Sequence, residues 1–172
     1  MNKKFEFIGE VSAFGLKRIR AKIDIGLSVK AGDLGGWIET ESNVALTGNA
    51  QVYGNAQVSG NAWVYGDARV SGNAWVYGNA QVYGNAQVYG NAQVSGNGQL
   101  FVVGPVGSRG ADLTATADEK IGVRISTGCF SGSLAEFRAA VLEKHGANSF
   151  HGLMYLGLAN LIALKFGKDI ES

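Results

Sequence analysis

Residues 52–99 read VYGNAQ VSGNAW VYGDAR VSGNAW VYGNAQ VYGNAQ VYGNAQ VSGNGQ, a hexamer repeated without a break. A weaker copy, LTGNAQ, starts at Leu46, and Asn43-Val44-Ala45-Leu46 reads as a degenerate copy before it. A short period kept this faithfully marks a solenoid, whose units bury apolar side chains only by stacking on their neighbours. The aliphatic residue opening each hexamer (Leu46, Val52, Val58 and on to Leu100) points inward. The Ala four residues later, as in Ala50 or Ala56, is the second inward position, where only a small side chain fits. Gly and Asn make the corner between them. Gly reaches positive φ without a steric penalty, and Asn tolerates that region better than other residues.

Three corners close one triangular coil, so residues 18 apart stack at the parallel-strand spacing of about 4.8 Å. A hairpin sandwich fails on this spacing, because turns every six residues leave strands too short to pair in that way. Stacking predicts three ladders: Asn49, Asp67, Asn85; Asn55, Asn73, Asn91; and Asn61, Asn79, Asn97. Amides stacked like this hydrogen-bond up the ladder, and Asp67 is expected to interrupt one of them with a charge. The outward positions are aromatic or amide-bearing and nearly uncharged. Tyr53, Tyr65, Tyr83, Tyr89, Trp63 and Trp75 are therefore expected at an interface of a homo-oligomer, a trimer before a dimer. The competing expectation is that these rings merely stack along each wall.

The hexamer resembles the repeat of left-handed parallel β-helix proteins, and the left-handed sense is what that resemblance implies. Many proteins with such repeats are acyltransferases that use a histidine as general base, and related carbonic anhydrases bind zinc through histidines. Residues 46–100 contain no His, Cys, Glu or Lys, and their only charges are Asp67 and Arg69. The repeats therefore supply no catalytic residue, no metal ligand and no cofactor site, and fold alone does not imply an activity.

Of 172 residues, 26 are Gly, one is Pro and one is Cys, and the formal charge is +1. Near-neutral charge gives no reason to expect bulk nucleic acid or membrane as a partner. The single Cys129 excludes an internal disulfide framework and suits a reducing cytoplasm. No signal peptide and no apolar run of membrane-spanning length is seen, so a soluble intracellular protein is expected.

The expected fold is mainly β: residues 1–45 as an N-terminal β cap, 46–103 as the β-helix, and 104–172 as a small α+β domain of order β-β-α-α. In the cap, Phe5–Ile8 and Leu16–Ile23 read as strands, and Lys17, Arg18, Arg20 and Lys22 make a basic cluster on a solvated strand face, the alternative being an anion-contacting edge. Gly104-Pro105 is expected to end the repeat. Leu113–Ala117 and Ile121–Thr127 read as two strands joined at Asp118-Glu119-Lys120. Ser133-Leu134-Ala135-Glu136 has capping-box spacing and Gly146 is a natural stop. A second helix, apolar on more than one side, is expected over Leu153–Phe166.

Polar chemistry gathers in residues 107–132. Ser108 and Arg109 lie between two glycines, and Thr114, Thr116, Arg124 and Thr127 add donors from the strands, with Ser126 beside them. These residues are the candidate site for a small phosphorylated or nucleotide-like ligand. Cys129 is expected to be buried and inert; a nucleophilic role requires His145 or His151 beside it.

Nearly the whole chain resembles a family of temperate-bacteriophage and prophage proteins carrying hexapeptide repeats. The resemblance rests on Gly32-Asp33-Leu34-Gly35-Gly36-Trp37-Ile38-Glu39 before the repeats. After them it rests on Gly107-Ser108-Arg109, Leu113-Thr114-Ala115 and Thr127-Gly128-Cys129-Phe130-Ser131-Gly132. It implies a phage protein made in the bacterial host cytoplasm and brings no settled activity. The expected function is a non-catalytic, oligomeric binding protein that sequesters a small anionic ligand, such as a nucleotide signal of host immunity. The alternatives are an acyltransferase-like or Cys-dependent enzyme, and a structural or host-protein-binding phage protein.

Overall fold

The computed structural model describes residues 2–107 and 110–168, apart from the side chain of Asn97. The chain divides into two compact units, residues 1–97 and 98–172.

The first unit opens with β1 (Phe5–Val11), β2 (Lys17–Ala21) and β3 (Leu34–Ile38), paired antiparallel in that order. Eight two-residue strands follow: β4 (Gln51–Val52), β5 (Gln57–Val58), β6 (Trp63–Val64), β7 (Arg69–Val70), β8 (Trp75–Val76), β9 (Gln81–Val82), β10 (Gln87–Val88) and β11 (Gln93–Val94). They form the three walls of a β-solenoid, β3-β5-β8-β11, β4-β7-β10 and β6-β9, all paired parallel within a wall. Gln51 pairs Arg69 and Arg69 pairs Gln87, the eighteen-residue step expected from three hexamers.

The interior follows from the hexamer. Val58, Val64, Val70 and Val76, like Ala56, Ala68 and Ala74, are fully buried. Backbone hydrogen bonds join each coil to the next: Tyr53 N donates to Val70 O at 3.0 Å and Asn55 N to Gly72 O at 2.9 Å. The corners need glycine. Gly72 has φ +71°, and a Cβ there would stand 3.0 Å from Gly90 N on the coil above. Among the described residues only Gly adopts positive φ, which corrects the role expected of Asn. Its amide serves the ladder instead. Asn61 Nδ2 donates to Asn79 Oδ1 at 3.1 Å and Asn49 Nδ2 to Asp67 Oδ1 at 2.8 Å. Asp67 therefore joins its ladder as an acceptor from Asn49 and, having no side-chain N–H, does not donate on to the next rung.

The first coil departs from the repeat. Trp37 pairs Gln57 and Val44 bridges Val64, twenty residues on instead of eighteen. Two extra residues are therefore accommodated between Val44 and Ala50. Val44 takes the inward position, buried at 2 % exposure, and Leu46, expected inside, is looped out at 51 %. Asn43 turns in and donates to Gly60 O and Ala62 O. The buried Lys4 ammonium secures the loop by donating to Ala45 O at 2.8 Å and Gly48 O at 3.2 Å.

Burial lowers the Lys4 pKa to about 8, opposed by the Asp67 carboxylate. The unfolded value is about 10.4. Between these values the unfolded chain binds more protons than the folded one, so stability rises with pH across this window. The urea midpoint is expected to be higher at pH 9.5 than at pH 7.5, and Lys4→Met should flatten that difference. An unchanged slope in the variant would assign the dependence to other groups.

Each side chain of the basic strand cluster has a neighbour to engage. Arg20 Nε donates to Glu6 at 2.9 Å, Lys22 donates to Asn2 O, Lys17 sits over the Phe7 ring and Arg18 over the Trp37 ring.

The second unit is a four-stranded antiparallel sheet followed by two helices. Its strands are β12 (Leu100–Val106), β13 (Ala111–Asp118), β14 (Gly122–Thr127) and β15 (Phe130–Ser133), in sequential order. The expected β-β-α-α order therefore gains a strand at each end of the pair. Leu100, read as the last inward residue of the repeat, opens β12 and pairs Thr116 antiparallel. Gly104-Pro105 does not stop that strand. Pro105 sits at an irregularity between Val103 and Val106 on an edge strand, where its missing N–H is not needed. Helix α1 (Leu134–His145) starts on Ser133, whose Oγ accepts from Glu136 N while Glu136 Oε2 accepts from Ser133 N. It ends at Gly146 with φ +72°. Helix α2 (Phe150–Lys165) is capped by Ser149. Among the described residues no helix is long and apolar enough to cross a membrane.

Candidate functional site

Strand alternation divides the residues of β13 and β14 between two faces. Leu113, Ala115, Val123 and Ile125 face the helices and pack with Phe137, Val141, Tyr155, Ala159 and Ile162. Thr127 continues this face at its end. Thr114, Thr116, Asp118, Arg124 and Ser126 occupy the opposite face, where Thr114 pairs Ser126 and Thr116 pairs Arg124.

Of the sequence-predicted ligand residues, Thr114, Thr116 and Arg124 thus share one face and Thr127 lies on the other. Thr114 and Thr116 are each 1 % exposed. The Arg124 guanidinium is engaged: Nε donates to Asp118 Oδ2 at 2.7 Å and Nη1 to Ser131 Oγ at 3.3 Å. Burial works to raise the Asp118 pKa. The Arg124 hydrogen bond and the Lys120 and Ile121 backbone N–H groups outweigh it, so the carboxyl lies below its ordinary value. Ser108 and Arg109 lie outside the described residues.

A cavity of about 300 Å³ opens on the other face, between the β14–β15 turn and the helices. Phe130, Phe137, Val141 and Tyr155 give it apolar walls, and Thr127, Cys129, Lys144 and His145 give it polar groups. The rings are fixed by one another. Phe130 and Phe137 centroids are 5.5 Å apart, and Phe137 meets Tyr155 edge-on at 5.8 Å. His145 lies 5.6 Å from the Tyr155 ring and 5.7 Å from the His151 ring. Gly107, at φ +73°, leaves room for the Tyr155 phenol, on which any Cβ there would fall.

Cys129 is exposed at this cavity, not buried as expected. It occupies the turn between β14 and β15, where no apolar layer covers it. Of the two histidines considered as its partner, only His145 lines the same cavity. Sequence reasoning missed Ala140, Lys144 and Tyr155. The signal was present in α1, where Phe137, Ala140, Val141, Lys144 and His145 follow helical spacing. Among the described residues no group of three or more His, Cys, Asp or Glu is arranged to hold a metal ion.

On the solenoid, the rings expected at an interface largely engage one another. Trp63 stacks on Tyr65 at 4.2 Å, and Tyr65 on Tyr83 at 5.6 Å. Trp75 lies between Tyr77 and Phe14, at 4.7 and 6.0 Å. Tyr89 hydrogen-bonds Tyr53 and Arg69; burial first, then Tyr53, push its phenol pKa up while Arg69 opposes. Trp63 and Tyr83 stay 43 % and 46 % exposed.

The repeats are similar to the YdcK beta-solenoid repeat. That family model matches residues 50–66, 56–72, 62–78, 80–96 and 86–100. The YdcK-type likeness covers less than half of the chain and stops where β12 begins, so it describes the solenoid and not the second unit. Comparison with curated proteins finds no match.

Proposed function

We propose that this is a non-catalytic binding protein whose C-terminal unit captures a small anionic ligand with a flat apolar body, a nucleotide derivative being the fitting class. The observation that carries this reading is the hollow of about 300 Å³ with aromatic walls and Lys144 and His145 among its lining. Its size is at the lower end for ligand sites, which are mostly apolar with a few placed polar groups. Phe130, Phe137 and Tyr155 suit a base or another planar ring, and the Lys144 ammonium suits a phosphate. Lys144 also offsets the negative end of the α1 dipole, which alone would repel an anion.

The finer reading is a left-handed solenoid closed at its first coil by residues 1–45 as a cap, in a homo-oligomer. It is phage-encoded and acts in the host cytoplasm on an immune signal. The hexapeptide pattern and the prophage-like motifs around the repeats support it.

A thermal-shift panel of cyclic nucleotides, nucleoside phosphates and ADP-ribose derivatives is expected to raise the melting temperature with at least one member. At a hundredfold excess over Kd the stabilisation is about 2.7 kcal/mol. The ligand should be recovered unchanged after denaturation, and Ala140→Trp, which fills the hollow, should remove the shift. A silent panel, or a shift that survives Ala140→Trp, defeats the reading.

One observation favours a second reading, a thiol-dependent enzyme. Cys129 and His145 line one cavity, and a nucleophile needs its base within hydrogen-bond reach. That reading needs turnover that Cys129→Ser and His145→Ala each abolish while ligand binding persists.

A further inference from the structure

Helix α2 carries no charged residue from Phe150 to Leu164. Five residues of that stretch are exposed, Phe150, Leu153, Gly157, Leu161 and Leu164, and none of them is polar. The four large ones are 77, 60, 55 and 62 % exposed in that order. Steps of three and four residues keep them on one face of the helix. A continuous apolar stripe of this kind marks a contact surface.

The stripe is symmetric about Gly157. Leu153 and Leu161 stand four residues either side of it, and Phe150 and Leu164 seven. A two-fold interface requires that if one residue meets a second, the second meets the first. An antiparallel pair of α2 helices crossing at Gly157 satisfies this, with Leu153 against the partner's Leu161 and Phe150 against the partner's Leu164. An unrelated partner imposes no such palindrome. A lipid surface favours a basic rim around the apolar face, and none borders this stripe before Lys165.

Gly157 supports the same assignment. Glycine weakens a helix interior relative to alanine, yet no atom beyond its own stretch of helix backbone lies within 4 Å of where a Gly157 Cβ would be. The packing of this chain on itself does not require the missing side chain. Two helix backbones crossing closely do. The four exposed side chains offer on the order of 500 Å² per copy, towards the roughly 800 Å² per partner of a standard interface. Half-buried Met154 and Leu158 flank the stripe and extend it.

We propose that this face of α2 is a two-fold interface between copies of this chain. The proposal deepens the homo-oligomer reading above, rests on it for the existence of an assembly, and assigns a dimeric contact. In a Cys129→Ser background, sedimentation of the full chain at micromolar concentration is expected to show a dimer or an even-numbered oligomer. Leu161→Glu, at an exposed position, should weaken association at least a hundredfold with an unchanged far-ultraviolet circular-dichroism spectrum. Gly157→Cys, which meets its own copy on the axis, should cross-link under mild oxidation. Leu153→Cys and Leu161→Cys should cross-link when mixed but not singly, and these arms still decide the matter if Leu161→Glu fails to fold. A monomeric parent chain would overturn both this interface and the assembly reading. An oligomer indifferent to Leu161→Glu, or mixed-cysteine chains that fail to cross-link, would overturn the interface alone. So would a monomer that binds neutral vesicles through this stripe.

Discussion

Ala74→Leu is expected to lower the melting temperature of the solenoid by about ten degrees. Ala74 is fully buried, as are Ala56 and Ala92, its counterparts eighteen residues before and after. The three walls meet there at a separation set by a methyl group. A leucine must push against stacked neighbours whose backbones are tied coil to coil, such as Gln57 N to Ala74 O and Trp75 N to Ala92 O. Overpacking of this kind costs about 1–3 kcal/mol in ordinary cores, and more where the surroundings cannot shift. Against a total stability of roughly 5–15 kcal/mol, that is a large fraction. Tyr83→Leu, at an exposed wall position, is the control and loses only its stack on Tyr65, about 0.5–1.5 kcal/mol. A circular-dichroism melt of Ala74→Leu within a few degrees of the parent would mean that the interior is not packed as described.

Arg124→Met is expected to cost the second unit up to about 3 kcal/mol, because it removes the cationic partner of a buried carboxylate that keeps only the Lys120 and Ile121 N–H groups. The Asp118 side chain is inaccessible to solvent and that of Arg124 is 16 % exposed. The depressed Asp118 pKa means that its carboxylate stabilises the fold above the unfolded value of about 3.9. That contribution is lost as pH falls through the lower folded value. Without Arg124, burial is opposed only by the Lys120 and Ile121 N–H groups, so the Asp118 pKa rises towards the unfolded value and the variant should lose less stability than the parent as pH falls. Urea titrations between pH 7 and pH 3 test both statements. A variant within about 1 kcal/mol of the parent at pH 7 would show that the pair is not a structural element.

The solenoid was legible because one period carries its register, interior and corners together. Val and Ala point in because the hexamer repeats, and the eighteen-residue pairing needs no further information. Leu46 misled because the first coil holds two extra residues, and a period cannot register its own interruption. Both helix caps could be read locally, since Ser133 with Glu136 and Gly146 act on neighbouring backbone groups. β12 was missed because Leu100 to Val106 gains its partner β13 only through tertiary pairing. The candidate site was legible by composition alone. Thr114, Thr116 and Arg124 have the polarity of a ligand site, but strand alternation turns them to the face opposite Thr127. The cavity is made by residues from β14, β15, α1 and α2, and no single motif spans those elements.

The solenoid interior repeats every six residues, whereas its outer contacts repeat every eighteen. Loss or gain of a whole coil by slippage between near-identical repeats leaves each surviving ring on its own wall. Loss of one hexamer preserves the Val and Ala interior equally well, yet moves every outer side chain after it to the next wall. Stacks such as Trp63, Tyr65 and Tyr83 would then be reassorted. Length variants of this chain should therefore be tolerated by the fold at any multiple of six residues. Their surface chemistry should be inherited intact only at multiples of eighteen.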